Sequence, residues 1–213
     1  MPFYKVNTVK LTYGEFWRIS GGCMPFAIAA TFKTLGVGLK VPTRLAYLEQ
    51  VNHLTLEELP QLSRGTQMQH RKECESLGLQ FQFFYMIPPM KQACAAVYLD
   101  AERKLIAQVL VVRPEESPGS QEKVVFACSS IHRSAIILNT GNSAQQFNIP
   151  KGIQPVYLPG KSLLDTLKVH EARIAKASAD IITFTPDQID ECIKGLNNIP
   201  LEFNINRGVY VPE

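Results

Sequence analysis

The feature that most constrains the fold is a series of apolar segments between residues 79 and 139. Five runs rich in β-branched and aromatic residues are separated by short polar or proline-containing connections. They are LQFQFFYMI (79–87), CAAVYL (94–99), KLIAQVLVV (104–112), KVVFACSS (123–130) and SAIILN (134–139). Short connections are typical of antiparallel strands, because a parallel pair needs a longer crossover. The sequence therefore predicts an antiparallel β-meander of four to five strands.

Part of this region has a second interpretation. Residues 91–112 also suit one long helix, because KQACAAVYLDAERKLIAQVL is rich in helix-forming residues. The dense Val and Ile content of residues 105–112 favours strands, since β-branched side chains are enriched there. The runs 104–112 and 123–130 are too apolar to leave both faces in water, so we expect helix 162–177 to cover one face of the sheet.

Two C-terminal helices are predicted from their starting residues. Ser162, followed by Asp165, begins the first, and Thr185-Pro186 with Gln188 begins the second. Helical spacing places an apolar face on each. The first face comprises Leu164, Leu167, Glu171 and Ile174, which would point His170 elsewhere; the second comprises Ile189, Cys192, Ile193 and Leu196.

The N-terminal part is predicted to be helical and hydrophobic. Residues 21–39 carry one charge, Lys33, which is nearly the pattern of a membrane-spanning helix. A lysine in mid-span costs about 2.5–3.5 kcal/mol on insertion, and Pro25 further weakens the run. The segment therefore fits a span, a buried helix or an interfacial helix. Residues 41–65 are predicted as a helix, a break and a short helix, the last with a capping box of Thr55 and Glu58, and residues 66–78 as a polar helix ending at Gly78.

These elements predict an α+β protein whose antiparallel meander is packed by C-terminal helices and preceded by a helical N-terminal segment. The predicted division is 1–65, the hydrophobic and basic segment, and 66–213, the α+β domain; one continuous domain is the alternative. With 46% hydrophobic and 19% charged residues, the chain can bury a full core.

The charge distribution points away from nucleic acid. The net charge of the chain is only +3, whereas a nucleic-acid site needs a clustered basic face. Residues 1–50 carry six Lys or Arg against two Glu, so the basic excess surrounds the most apolar segment. This pattern fits attraction to an anionic membrane surface, or simply a solvated face.

Cysteine and histidine usage predicts neither a metal site nor a disulfide framework. The five cysteines are widely spaced without a C-x-x-C pair, and the four histidines lack metal-ligand spacing. LPGKS (158–162) resembles a phosphate loop but lacks its first glycine, because Pro155 stands there. We therefore expect no cofactor and no metal. Cysteine usage and the lack of an apolar leader predict a cytoplasmic protein, either free or peripheral to or anchored in a membrane.

The segments CESLGLQF, AAVYL, LIAQVLVV, KVVFACSSIHRSAIILNTG and VYLPGKSLLDTLKVHEARI, within residues 73–176, together form a pattern. It resembles a bacterial family without assigned function, in which a hydrophobic helical segment precedes a small antiparallel sheet. The resemblance implies that sheet and an N-terminal membrane-spanning segment, from which Lys33 and Pro25 depart. It implies no activity.

One arrangement fits catalysis. Cys23 follows two glycines and begins an apolar helix, where the helix dipole would stabilise a thiolate. His132 and then Asn139 or Asn142 follow in the order that papain-like hydrolases use. However, no glutamine precedes Cys23 as an oxyanion donor, and SSIHRS has the composition of an exposed hairpin turn.

The sequence therefore favours a non-enzymatic binding or accessory protein over an enzyme. Its N-terminal segment would dock to a membrane surface or a protein partner. The alternative is a hydrolase with Cys23 as nucleophile and His132 as base.

Overall fold

The computed structural model describes residues 2–36, 38, 44–113, 122–177 and 180–213. The helices of this part of the chain are α1 (Tyr13–Ser20), α2 (Cys23–Thr34), α3 (Gln61–Ser76), α4 (Leu163–Lys176) and α5 (Pro186–Asn206). Its strands are β1 (Tyr4–Val6), β2 (Arg44–Leu45), β3 (Gln80–Met86), β4 (Ala93–Leu99), β5 (Ile106–Val112), β6 (Lys123–Ile131), β7 (Ile137–Gly141), β8 (Ile153–Tyr157) and β9 (Tyr210–Pro212).

The main sheet has the strand order β3-β4-β5-β6-β7-β8 and is antiparallel except for the parallel pair β7–β8. The predicted α+β class and antiparallel sheet are confirmed, and so are strands rather than a long helix over 91–112. The number of strands is six instead of four to five, because β8 was not predicted. Its Pro155 lies on the last strand of the sheet, where a missing backbone N–H breaks no ladder.

Helices cover both faces of this sheet. Along the wholly buried β4, Cys94, Ala96 and Tyr98 face a core built with α3 and α4, whereas Ala95 and Val97 face a core built with α5. α4 packs on β6 and β7, as expected, and α3 packs beside it on β3, β4 and β5. The sheet is therefore the middle of three layers, and its inner strand β4 is buried on both sides.

A second, small sheet joins the two ends of the described chain. Its order is β2-β1-β9, and β1 pairs antiparallel with both neighbours, with Tyr4 opposite Pro212. A third core lies beneath it. Its buried members are Val6, Leu11, Phe16, Ala29, Leu201, Val209 and Tyr210. The N-terminal helices thus share a core with the end of α5 and with β9.

The helix predicted at the start of 41–65 is wrong for residues 44–55, while residues 41–43 lie outside the described ranges. Asn198 of α5 clamps Leu48, accepting a hydrogen bond from its N–H (2.9 Å) and donating one to its carbonyl (3.1 Å). Leu54 forms a β-bridge with Phe84. These contacts replace the helical hydrogen bonds that propensity favours. The capping box of Thr55 and Glu58 is present, on a single 3₁₀ turn.

The helix predicted for residues 66–78 is α3, which begins earlier, at Gln61, and ends at Ser76. Its predicted stop at Gly78 has a physical cause, because that residue adopts a positive φ of 82°. Both predicted C-terminal helix starts are confirmed: Ser162 accepts a hydrogen bond from the Asp165 N–H (3.1 Å), and Thr185 and Gln188 form a capping box.

Candidate functional site: the N-terminal helical hairpin

Two short helices, α1 and α2, form a hairpin at the N-terminal side of the fold. α1 begins with a capping box, in which Thr12 accepts from the Glu15 N–H (3.2 Å) and the Glu15 carboxylate accepts from the Thr12 N–H (2.8 Å). It ends at Gly21, whose φ of 69° suits a glycine. α2 starts two residues later, and Pro25 lies in its first turn, where a proline is tolerated. The hairpin geometry is therefore encoded locally.

The hairpin leaves a large apolar area in contact with solvent. On α2 only Ala29 is buried, while Met24 and Leu35 are 76% and 70% exposed. The spacing 24, 28, 32, 35 puts these side chains on one helical face. We define the hairpin surface as Tyr13, Trp17, Met24, Ile28, Phe32 and Leu35. An exposed apolar face of this kind is a candidate interaction site.

The hairpin surface carries no exposed acidic side chain. α2 has no Asp or Glu, and the single carboxylate of α1, Glu15, is fully buried. Two basic residues border the surface. Lys33 donates through its Nζ to the Val9 carbonyl, and the exposed Arg18 donates to Asn148 Oδ1 (2.7 Å). The local charge is therefore positive.

Glu15 fixes the hairpin to the rest of the protein. Its two carboxylate oxygens each accept a hydrogen bond from the Arg207 guanidinium (2.8 Å each), and the Asn148 N–H donates to Oε1 (2.8 Å). Burial alone would raise the pKa of Glu15, but these bonds and those from Thr12 outweigh it and lower the pKa to about 2. The ionised carboxylate therefore connects α1, the 145–149 loop and the end of α5.

The predicted catalytic residues are not brought together among the described residues. Cys23 is exposed at the first position of α2. His132 lies in the β6–β7 turn, with Nδ1 against Ser134 Oγ (2.7 Å) and Nε2 near Asp180 Oδ2 (3.4 Å).

Both asparagines considered as the third member of the triad also bond elsewhere. The Asn139 amide donates to Ser129 Oγ (3.0 Å), and Asn142 Oδ1 accepts from the Phe126 N–H (2.8 Å). His132 therefore lies in the predicted turn but is half-buried instead of exposed, because Asp180 and a β-bridge to Ile181 hold it. Nothing in this geometry favours the hydrolase.

Sequence reasoning missed a buried polar network between α4 and the sheet. His170 Nε2 contacts Ser130 Oγ (3.0 Å), and Nδ1 contacts Thr140 Oγ1 (2.9 Å). Ser130 donates its own proton to the Lys104 carbonyl (2.7 Å), so the imidazole N–H must be at Nε2. Arg173 donates to Thr140 Oγ1 (2.8 Å), which leaves the threonine proton for Nδ1. Every polar proton of the network has an acceptor when His170 is neutral.

The expected orientation of α4 was therefore wrong at three residues. His170 is fully buried, whereas Leu164 and Glu171, both assigned to the apolar face, are exposed. Burial and the neighbouring Arg173 lower the pKa of His170 to about 3. The burial of His170 could have been predicted from its spacing to Leu163, Thr166 and Leu167, because steps of three and four residues place all of them on one helical face. Ser130 and His170 are both inaccessible, so this contact is structural.

The remaining predictions concern metals, membranes and relatives. Within the described ranges there is no cluster of His, Cys, Asp and Glu that could hold a metal ion. Among the helices of this part of the chain, none is long and apolar enough to cross a bilayer. Comparison with protein-family models, curated proteins and solved structures finds no match to this chain. The resemblance to a bacterial family stays a prediction.

Proposed function

We propose that the protein is a non-enzymatic accessory protein that binds the surface of an anionic membrane through the hairpin surface, from the cytoplasmic side that its cysteine usage predicts. The observation that carries this proposal is α2, a helix of apolar composition with a single buried residue. An apolar helical face that the described residues leave exposed is stabilised when it enters the headgroup–acyl boundary of a bilayer.

The composition of the surface favours lipid over a protein partner. Tyr13 and Trp17 contribute rings with one polar atom each, the residue types enriched at the membrane–water interface. Trp17 packs edge-to-face on Phe26 at a centroid distance of 5.1 Å, so its ring is held beside α2. No exposed acidic side chain of α1 or α2 opposes anionic headgroups, and Arg18 and Lys10 lie exposed nearby.

The preformed structure of the hairpin also supports the proposal of membrane binding. A surface segment that is already helical avoids the entropy cost of folding on the bilayer. The Glu15–Arg207 pair and the capping box of α1 hold the hairpin in place before any membrane is met. Interfacial binding through apolar insertion and basic attraction would therefore need no rearrangement of the sheet.

The test uses the full-length protein and vesicles of equimolar phosphatidylcholine and phosphatidylglycerol. Trp17 is the single tryptophan of the chain, so its emission reports on the hairpin without a label. We expect flotation with these vesicles and a blue shift of the emission, both weaker with pure phosphatidylcholine and at high salt. Absence of flotation at low salt would overturn the proposal.

A matched pair of variants localises the binding. Ile28→Ser with Phe32→Ser removes two exposed apolar side chains of α2, and we expect at least a tenfold loss of vesicle affinity. Leu62→Ser with Leu164→Ser removes two exposed leucines from α3 and α4 and should bind like wild type. Equal loss in both variants contradicts the assignment, and so does a stable dimer in solution that only the α2 variant dissociates, since a second copy would then cover this face.

A further inference from the structure

A second candidate binding surface lies at the outer edge of the main sheet. β3 is the first strand of the order, so among the described strands none pairs with the outer side of its backbone. Leu54 covers part of this edge, because its N–H donates to the Phe84 carbonyl (2.8 Å) and its carbonyl accepts from the Phe84 N–H (3.4 Å). An extended segment can therefore pair with this edge through two backbone hydrogen bonds, as Leu54 does.

The next outward-facing residue of β3 is Met86, which has the same orientation as Phe84. In an antiparallel pair, residues alternate between bonding to the neighbouring strand and facing away from it. Ile87 donates to Ala93 of β4 (2.9 Å), whereas Phe84 faces outward to Leu54. Met86 therefore also faces outward. Among the described residues, none forms a hydrogen bond with its N–H or its carbonyl on that side.

A cleft of about 390 Å³ opens at this position. Residues of the 48–54 segment and of the β3–β4 turn line it. Leu54, Met86 and Met90 give it an apolar lining, and the exposed Glu49 and Lys91 lie at its rim. The volume falls within the range of about 300–1,000 Å³ that is typical of ligand sites.

We propose that this cleft binds an extended peptide segment, which adds to the edge of β3 at Met86 and places one apolar side chain in the cleft. The peptide residue opposite Met86 would exchange two backbone hydrogen bonds with it, as Leu54 does with Phe84. Side chains of directly opposed residues point to the same face of a sheet, so its side chain would lie beside that of Met86. Leu54 and Met86 both pack against the core on the α3 side, which defines that face.

The outward backbone groups favour a peptide over a wholly apolar ligand. A ligand without hydrogen-bonding groups would cover the Met86 N–H and carbonyl and leave both without water, which costs binding free energy. A peptide backbone supplies a donor and an acceptor at the matching spacing. The rim residues, one acidic and one basic, suit the polar flanks of such a segment.

The test measures binding of the peptide acetyl-Ser-Thr-Leu-Thr-Ser-amide to the full chain by NMR titration. We expect saturable shifts at Met86, Leu54 and Lys91. The matched probe carries N-methyl-leucine, which keeps the side chain and removes the central donor, and its affinity should be at least tenfold lower. Equal binding of the two peptides, no saturable binding of the first, or shifts confined to other residues would overturn the proposal.

Two variants of the protein complete the experiment. Met86→Pro deletes the outward N–H without removing a bond to β4, and should weaken binding of the parent peptide at least tenfold. Met86→Leu keeps the N–H and should bind the peptide as wild type does. Unchanged binding by the proline variant contradicts strand addition. The membrane proposal is judged separately, because the Ile28→Ser, Phe32→Ser protein should still bind the peptide.

Discussion

The main sheet and the N-terminal hairpin are both built from apolar sequence, yet they end in opposite environments. All seven residues of β4 are buried between two helical layers, whereas α2 buries one residue of its twelve. Composition alone would place both in the core. The difference shows that burial depends on whether the fold brings a second layer to an apolar face, and no described residue forms such a layer over the outer face of α2.

The largest effect is expected from removing the Glu15–Arg207 ion pair, which joins the hairpin to the end of α5. Glu15→Ala leaves the Arg207 guanidinium without its carboxylate, and loss of one partner of a buried pair costs about 3–5 kcal/mol of unfolding free energy. Urea denaturation measures it. Glu191→Ala, which removes the exposed carboxylate of the Lys194 pair, is the control and should leave the midpoint nearly unchanged. A Glu15→Ala midpoint equal to that of the control would show that the hairpin is not held by this pair.

A matched pair of isoleucines tests the comparison directly. Ile106→Ala opens a cavity in the fully buried sheet and should cost about 2–5 kcal/mol of unfolding free energy. The same change at the exposed Ile28 should stay within about 0.5 kcal/mol. Both are read from urea midpoints in the absence of lipid. Similar losses at both positions would mean that α2 is covered in solution, by a second copy or another part of the chain.

Acid should destabilise the protein in two different pH ranges, one set by His170 beside the main sheet and one by Glu15 of the hairpin. The pKa of His170 is about 3 in the fold and 6.5 when unfolded, so the unfolded state binds its proton first and stability falls as the pH drops from 6.5 towards 3. Glu15, with a pKa of about 2 against 4.5, contributes stability that is lost only between pH 4.5 and 2.

The loss due to His170 alone is on the order of 3 kcal/mol between pH 7 and pH 4. Urea midpoints at a series of pH values measure it. His170→Gln, which does not titrate, should flatten the slope between pH 6.5 and 4.5. An unchanged slope in this variant would assign the acid sensitivity to other groups.

Much of the sheet could be predicted because its signals are local. Strands β3 to β7 were found from apolar runs and short connections, and the starts of α4 and α5 from their capping residues. What escaped prediction depends on distant partners. Residues 44–55 are extended because Asn198 and Phe84 hold them, and no pattern within that segment reveals either.

The candidate site divides in the same way. The apolar, basic character of the N-terminal segment is visible in the sequence, since it needs only composition. The exposure of α2 cannot be read from composition. It depends on the packing of the third core, which includes Ala29 but neither Met24 nor Ile28. The cleft at Met86 could not be predicted either, because it forms between two segments that are distant in the sequence, residues 48–54 and the β3–β4 turn.

The smallest expected effect concerns thiol reactivity and leaves stability unchanged. Cys23 is exposed, whereas the other four cysteines are buried. Burial raises the pKa of Cys74, Cys128 and Cys192 to about 12, which suppresses their thiolates. An aromatic disulfide reagent should therefore label one thiol in the native protein and five in urea. More than one fast native thiol would show that at least one buried cysteine is as accessible to the reagent as Cys23.

The bond between Glu15 and Arg207 also has a consequence for the order of events during synthesis. The two residues are 192 positions apart, and β9, which pairs with β1, follows Arg207. Because a ribosome releases the chain from its N-terminal end, α1 and α2 are made long before the residues that hold them in place exist. The most apolar of the described helices therefore stays unanchored until Arg207 and β9 have been made, and docking of the hairpin has to wait for these residues to emerge.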